Sequence, residues 1–577
     1  MTATIIRREV VSDAAAFDLP SNLSPLLQRI YLSRGVSDSR QLERTLPFLA
    51  DSQSIKDIDR AVQLLADAVM NRQRILIVGD FDADGATSSA LGVLALRSMG
   101  ALHVDFLVPN RFEYGYGLSP AIVEVAKEQH PDLLVTVDNG ISSIEGVRAA
   151  KEAGIKVLVT DHHLAGEELP IADAIVNPNQ PGCTFPWKNT AGVGVIFYVL
   201  CALRAELDRR GWFGDRPKPN MASFLDIVAL GTVADVVGLD SNNRILVHQG
   251  LSRIRAGKAR PGILALAEVA KRDPTKLVAS DLGFALAPRL NAAGRLDDMS
   301  LGIELLITDD PNHACTIASE LDSLNRERRE IEESMKEEAL RDLAKLQLGD
   351  KKALPWGVCL YQDDWHQGVI GILASRVKEK IHRPVIAFAP GDEGQIKGSA
   401  RSIPGFHVRD ALEAISTRHP GLILKFGGHA MAAGLTINEQ DYQTFAEAFD
   451  REARRLLTPE QLESCLMTDG ALKQQELSLE TAELLREAGP WGQSFPEPLF
   501  DGVFELKEQR LVGSKHLKMM LVPEGGQEWI DAIWFNIDTR SWPNSAITRV
   551  RAVYRLDVNE FRGRRSVQLM VEYLEPL

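Results

Sequence analysis

Three aspartates at alternate positions, Asp80, Asp82 and Asp84, follow directly on the apolar run 75–78. Carboxylates this close repel one another in water, so a chain that gathers them where a buried strand ends calls for a cation there. Oxygen ligands suit magnesium or manganese. The pattern recurs. Asp138-Asn139-Gly140 closes the run 133–137, and Asp161-His162-His163 closes the run 157–160. The apolar segment 224–237 offers Asp235 in its last turn.

The elements that must position these groups are legible. Short continuous apolar runs of this kind are strands covered on both faces, as in a parallel sheet. Ligands of such sheets gather at the carboxyl ends of the strands, so the acid-tipped strands point to one shared site. Gly85 allows a tight bend, and Thr87 and Ser88 are expected to cap a helix over 86–99. An amphipathic helix is predicted over 56–73, with Ile58, Ala61, Leu65 and Val69 on one face. Further helices are expected at 119–129, 142–153, 192–207 and 222–237. The fold class is α/β, with a doubly wound parallel-sheet domain over 56–310 behind a lead-in over 1–55.

In this order, the Asp80/Asp82/Asp84 turn, Asp138-Asn139-Gly140, Asp161-His162-His163 and Asp235 resemble the DHH phosphoesterase superfamily, whose namesake triplet is residues 161–163. Matching segments run nearly end to end. They are most similar to the family's long-chain bacterial exonucleases, which degrade single-stranded DNA 5′→3′ to 5′-mononucleotides in DNA repair and recombination. The resemblance implies two divalent cations, Mn2+ or Mg2+, roughly 3.5–4 Å apart. It implies Asp82, Asp84, Asp138, His162 and Asp235 as ligands, with Asp80 as a further ligand or a residue orienting water. Asp161 is expected to fix the tautomer of a ligating imidazole, and His163 to contact the scissile phosphate or assist the leaving oxygen.

The remaining chain is read for substrate contacts. Arg111 and Tyr114 stand in a glycine- and tyrosine-rich loop suited to phosphate binding and base stacking. Arg289, Asn291 and Arg295 stand among small residues that permit close backbone approach, and are expected to meet phosphate or the DNA backbone, with a structural ion-pair network as the alternative. One long charged helix is predicted over 311–346, within a connecting segment 311–350. A second, smaller α/β domain, resembling the associated DHHA1 domain, is placed at 351–465. There His366, Ser399, Arg401, Gly427, Gly428 and His429 are expected to hold substrate, the glycine pair as a turn that starts a helix and exposes N–H groups to phosphate. Period-2 alternation over 466–577 predicts a small β barrel, and the resemblance implies an oligonucleotide-binding fold. Lys515, Lys518, Arg555, Arg562, Arg564 and Arg565 are its candidate strand-tracking cations.

Bulk properties narrow the classes. A net charge of −14 argues against a protein that coats nucleic acid non-specifically, but not against an enzyme with a local basic channel. The five cysteines form no CxxC pair, so a zinc site or disulfide framework is not expected, and a cytoplasmic location fits. No apolar run reaches membrane-spanning length. A single-strand-binding protein and a DNA helicase are partners that only the resemblance implies.

Overall fold

The computed structural model describes residues 4–9, 18–110, 117–348, 354–539, 541–561 and 563–577. It divides into two compact units. One contains Arg7–Asp322 and Met467–Leu577, the other Met1–Ile6 and Ser323–Leu466.

The first unit is built on a five-stranded parallel sheet, in the order His103–Leu107, Arg74–Val78, Leu133–Val137, Lys156–Thr160, Ala174–Val176. The register pairs Val78 with Leu107 and Thr136, and Thr160 with Val137 and Val176. The acid-bearing strand ends therefore lie side by side. Chain order reverses between Arg74–Val78 and Leu133–Val137, and a reversal of this kind opens a crevice at the carboxyl edge. On one face, Leu76, Val78, Leu134, Val157 and Val159 form a buried core with Ile122 and Val123 of helix Pro120–Lys127 and Val147 of helix Ile144–Glu152. On the other, helix Ala83–Ser98 packs on helices Gly192–Arg209 and Leu225–Ala234. It sits so close that a Cβ on Gly92 would fall 2.6 Å from Ile77 Cδ1.

Helix Ala83–Ser98 begins earlier than its sequence suggests. Asp82 caps it, accepting from the amides of Asp84 (2.9 Å) and Gly85 (3.0 Å), while Thr87 and Ser88 lie buried inside. The carboxylate is the stronger acceptor, so it takes the cap. Residues 241–269 form two helices rather than one. Helix Ser241–Arg255 ends before Gly257, whose φ is +67°, and helix Pro261–Val269 starts anew at a proline.

The barrel belongs to the same unit. Its strands close in the order Phe500–Val512, His516–Pro523, Ile530–Trp534, Arg564–Pro576, Arg549–Phe561. Lead-in residues bind the segment before it: Arg34 pairs with Asp469, Arg44 donates to the carbonyls of Glu487 and Ala488, and Tyr31 Oη donates to Ala488 O.

In the second unit, a five-stranded sheet runs Lys425–Gly428, Ala432–Asn438, Gln395–Arg401, Val385–Pro390, Val358–Tyr361. Only the last pair is parallel. Phe445 and Phe449 of helix Tyr442–Leu456 pack with Ile386 and Phe388 in one core. Leu373 and Val377 of helix Ile370–Ile381 join Met335 and Ala339 of helix Pro311–Leu348 in another. The glycine pair Gly427–Gly428 does not start a helix, contrary to its sequence reading. Lys425–Gly428 pairs antiparallel with Ala432–Asn438, and His429 N donates to Ala432 O at 2.8 Å to close a hairpin. Among the described residues no helix is long and apolar enough to cross a membrane.

Candidate metal centre

The strand ends bring the predicted acids and imidazoles together. Ligand atoms of Asp80, Asp82 and Asp138 lie within 4.8 Å of one another, as do those of Asp84, His162 and Asp235, and those of Asp138, His162 and His163. His162 Nε2 stands 3.1 Å from Asp138 Oδ1 and 3.6 Å from Asp235 Oδ2.

Local structure explains why each group is held. Asp138 takes a φ of +61°, which turns the chain directly after its strand, and Gly140 continues the turn at +115°. Asn139 ties two strand ends, donating to Val78 O (3.1 Å) and Val137 O (2.9 Å). Asp84 accepts from Gly192 N at 2.7 Å and Val193 N at 2.9 Å, so the positive end of helix Gly192–Arg209 fixes both its oxygens. Asp235 terminates helix Leu225–Ala234.

The Asp161 expectation needs correction. Its Oδ1 accepts from Nδ1 of His163 (2.7 Å), not from the ring of His162, and also from both histidine amides. Oδ2 accepts from Ile141 N at 2.9 Å. The carboxylate precedes two imidazoles, and the backbone curls so that the second ring folds back over it. His163 is thereby oriented with Nε2 on the side of the ring away from Asp161.

The electrostatics are those of several acids buried together. Burial, then the charge of Asp235, pushes Asp84 up to about 7. Burial, then Asp82, does the same to Asp235, and burial with the surrounding acids raises Asp138 well above the carboxylate range. Burial holds His162 below its ordinary value, in the neutral form that binds metals. Burial would lower His163 too, but its hydrogen bond to Asp161 raises it to about 9. His162 Nε2 and Asp235 Oδ2 are buried and make no hydrogen bond within the protein. Orphaned atoms of this kind, among acids that need positive charge to ionise together, fit hard divalent cations with mixed oxygen and imidazole ligation.

Several supporting residues escaped the sequence reading. Asn177 donates to His163 O (2.9 Å) and Asn179 to His162 O (2.6 Å), clamping the triplet. Gly192 is wedged so that a Cβ would meet Asp138 Cβ and Oδ1 at 2.7 Å, and one on Gly231 would meet Thr87 Oγ1 at 2.1 Å. Strand-end asparagines and a glycine opening an apolar helix were the available signals.

The predicted substrate contacts divide. Arg111 and Tyr114 lie outside the described residues. Asn291 turns inward: its Oδ1 accepts from Ala83 N at 2.8 Å, bracing the aspartate turn. A Cβ on Gly294 would fall 1.8 Å from Phe81 O, so the small residues admit this turn. Arg289 is buried and paired with Asp322 at 2.8 Å, the structural ion pair that was the alternative to a DNA-facing donor. Arg295 is half-buried. In the second unit, the register aligns Ser399, Gly434 and Gly427 across three strands, and nothing lies within 4 Å of a Cβ placed on Gly427. This strip of bare backbone borders Arg401, which donates to Ser399 Oγ at 3.1 Å and whose burial lowers its pKa. His366 Nδ1 accepts from Gly368 N at the approach to helix Ile370–Ile381. On the barrel, Lys518 pairs with Asp531, Arg555 with Glu497 and Glu572, and Arg565 with Glu483. Lys515 and Arg564 are exposed, and Arg562 lies outside the described residues.

Comparison with known proteins agrees with this anatomy. The profile of the DHH family N-terminal domain matches residues 74–232, that of the DHHA1 domain 355–455, and that of the RecJ OB domain 468–573. The chain is 58% identical over 576 residues to the single-stranded-DNA-specific exonuclease RecJ of Dickeya dadantii, covering 100% of this chain and 99% of the relative. The crystal structure of RecJ from Thermus thermophilus with Mn2+ superposes with a TM-score of 0.79 at 29% identity, over 100% of this chain and 79% of that one. The same protein with Mg2+ gives 0.75 at 27% identity, over 100% and 78%.

Proposed function

Because the chain belongs to the RecJ family of single-stranded-DNA-specific exonucleases, we propose that it removes nucleotides one at a time from the 5′ end of single-stranded DNA, releasing 5′-mononucleotides. The observation that carries this reading is the convergence of Asp80, Asp82, Asp84, Asp138, His162, His163 and Asp235 at the crevice of the parallel sheet.

Asp82, Asp84, Asp138, His162 and Asp235 would hold two divalent cations, manganese or magnesium, with Asp80 beside them. When bound, the cations supply positive charge for the phosphoryl oxygens and acidify a water nucleophile. The water oxygen joins phosphorus as the bond from phosphorus to the 3′-oxygen of the terminal nucleotide breaks. His163, kept protonated by Asp161, delivers the proton that the 3′-oxygen needs. The shortened strand then carries a new 5′-phosphate. Within the second unit, Ser399, Arg401, His429 and the amides at Gly427 and Gly428 are suited to seat a phosphate. Arg111 is a proposed phosphate contact of the first unit. Arg295 and Tyr114 complete the proposed contacts, and His366 stands at the start of the neighbouring helix. A cytoplasmic role in DNA repair and recombination, beside a single-strand-binding protein and a helicase, accords with this chemistry.

The test is an end-label assay with manganese or magnesium. Label at the 5′ end should leave first, as mononucleotide, while label at the 3′ end persists and blunt duplex resists. Early loss of the 3′ label, or turnover of dinucleotides alone, would replace this substrate assignment.

A further inference from the structure

Among the described residues, the large apolar side chains exposed beyond 60% are Ile171, Phe284, Val236, Leu102 and Leu164, at 82, 82, 63, 62 and 61%. Scattered apolar residues on a surface need no explanation, but three of these adjoin the metal centre. Leu164 follows His163 and Val236 follows Asp235. Phe284 follows Gly283, where a Cβ would lie 3.2 Å from Val233 Cγ1 and 3.8 Å from Val233 O. That carbonyl accepts from Val236 N at 3.2 Å. Gly283 thus packs on Val233, two residues before Asp235, and Phe284 is the next residue along.

The local backbone is unusual at both ends of this corner. Val236 adopts a φ of +63°, a region that a β-branched side chain rarely enters. Phe284 rides on a single π-helical turn, Leu282–Leu286, a widening of the helix often found at functional sites. Leu282, Ala285 and Leu286 are buried by that turn, and Phe284 is carried into solvent.

We propose that Phe284 is a stacking platform for a base of the single strand, with Val236 and Leu164 completing an apolar rim around the phosphate-handling centre. This deepens the nuclease reading and rests on it. The carboxylates and imidazoles account for the reacting phosphate only. An enzyme that degrades any sequence must hold the bases without reading their edges, and an aromatic face does so because every base has a π face. Phe284 has no polar atom with which to discriminate. A base in duplex is already stacked and paired, so the same platform favours unpaired strands.

The experiment pairs the side chain with the base. Wild type, Phe284→Ala and Phe284→Trp are given a short 5′-phosphorylated oligonucleotide, and versions with one abasic residue at successive positions from the 5′ end. The readout is kcat/KM for release of the first nucleotide. At one position, the abasic residue should cost wild type about 10-fold, within the range for a single base–aromatic stack. Phe284→Ala should show that loss on the intact strand and no further loss at that position, while Phe284→Trp retains wild-type behaviour. An abasic penalty that persists in full in Phe284→Ala at every position, or Phe284→Ala matching wild type on the intact strand, overturns the platform and leaves the rim for another occupant, such as a protein. A wild type that does not shorten the intact strand from its 5′ end overturns the nuclease reading and the platform together. Circular dichroism checks that the variants fold.

Discussion

At the scale of single residues, the centre pairs groups of opposite demand. Asp84, Asp138 and Asp235 resist ionisation because they are buried together, whereas His163 resists deprotonation because Asp161 grips it. Asp82→Ala or His162→Ala should therefore reduce manganese-dependent cleavage by at least ~10³-fold, of the order seen when a key catalytic group is lost. Single-strand binding should remain, as measured by fluorescence anisotropy. Asp161→Asn makes a different demand. With the carboxylate gone, His163 should fall from about 9 toward the ordinary histidine value. The alkaline limb of the pH–rate profile should move down with it, by a shift that a merely unfolded variant would not produce.

At the scale of elements, the active geometry depends on helices packed without side chains between them. Gly192 brings the first amides of its helix onto Asp84 and leaves no space beside Asp138. Gly192→Ala should thus weaken manganese affinity roughly 10–100-fold, the usual effect of disturbing groups behind the ligands, read by calorimetry on protein whose far-ultraviolet spectrum is unchanged. Strand identity was readable from apolar runs, and the acids at their ends from simple spacing. The inward turn of Asn291 was not, because Asn291 and Ala83 are 208 positions apart and an amide carries no periodic signal. The hairpin at Gly427 and Gly428 was missed for a related reason. Glycine pairs suit both helix starts and close strands, and only pairing with Ala432–Asn438 decides between them.

At the scale of the whole molecule, charge and connectivity govern stability. Asp84 and Asp235 have folded values of about 7 against 3.8 in an open chain, so their contribution is present below pH 3.8 and lost as pH rises through 7. His163 contributes fully below its ordinary 6.5 and loses this as pH rises through about 9. In chelator, the melting temperature should fall between pH 6 and 9, and manganese at a hundredfold over its dissociation constant should restore about 2.7 kcal/mol at pH 8. A flat pH response in chelator would contradict the burial of unneutralised acids. The lead-in holds the base of the barrel through Arg34 and Asp469, both side chains 1% exposed, with contacts of 2.7 and 3.0 Å. Arg34→Ala removes the nearer cation from a buried carboxylate, leaving it Arg8 at 3.6 Å, and should cost about 3 kcal/mol, seen as an earlier first transition in calorimetry, with manganese affinity retained.

What the sequence determined by itself is local and periodic. Apolar runs specify the strands, acids at fixed offsets specify the chemistry at their tips, and alternation specifies the barrel. Tertiary structure alone decided which imidazole Asp161 orients, that Arg289 is paired with Asp322, and that Phe284 stands in solvent next to a glycine packed on Val233. For Arg289 and Phe284 the physical reason is packing between segments distant in the chain, which neither composition nor spacing carries. For Asp161 it is the local curl that Asn177 and Asn179 clamp, since two adjacent imidazoles offer the carboxylate equal spacing and only the folded backbone selects one.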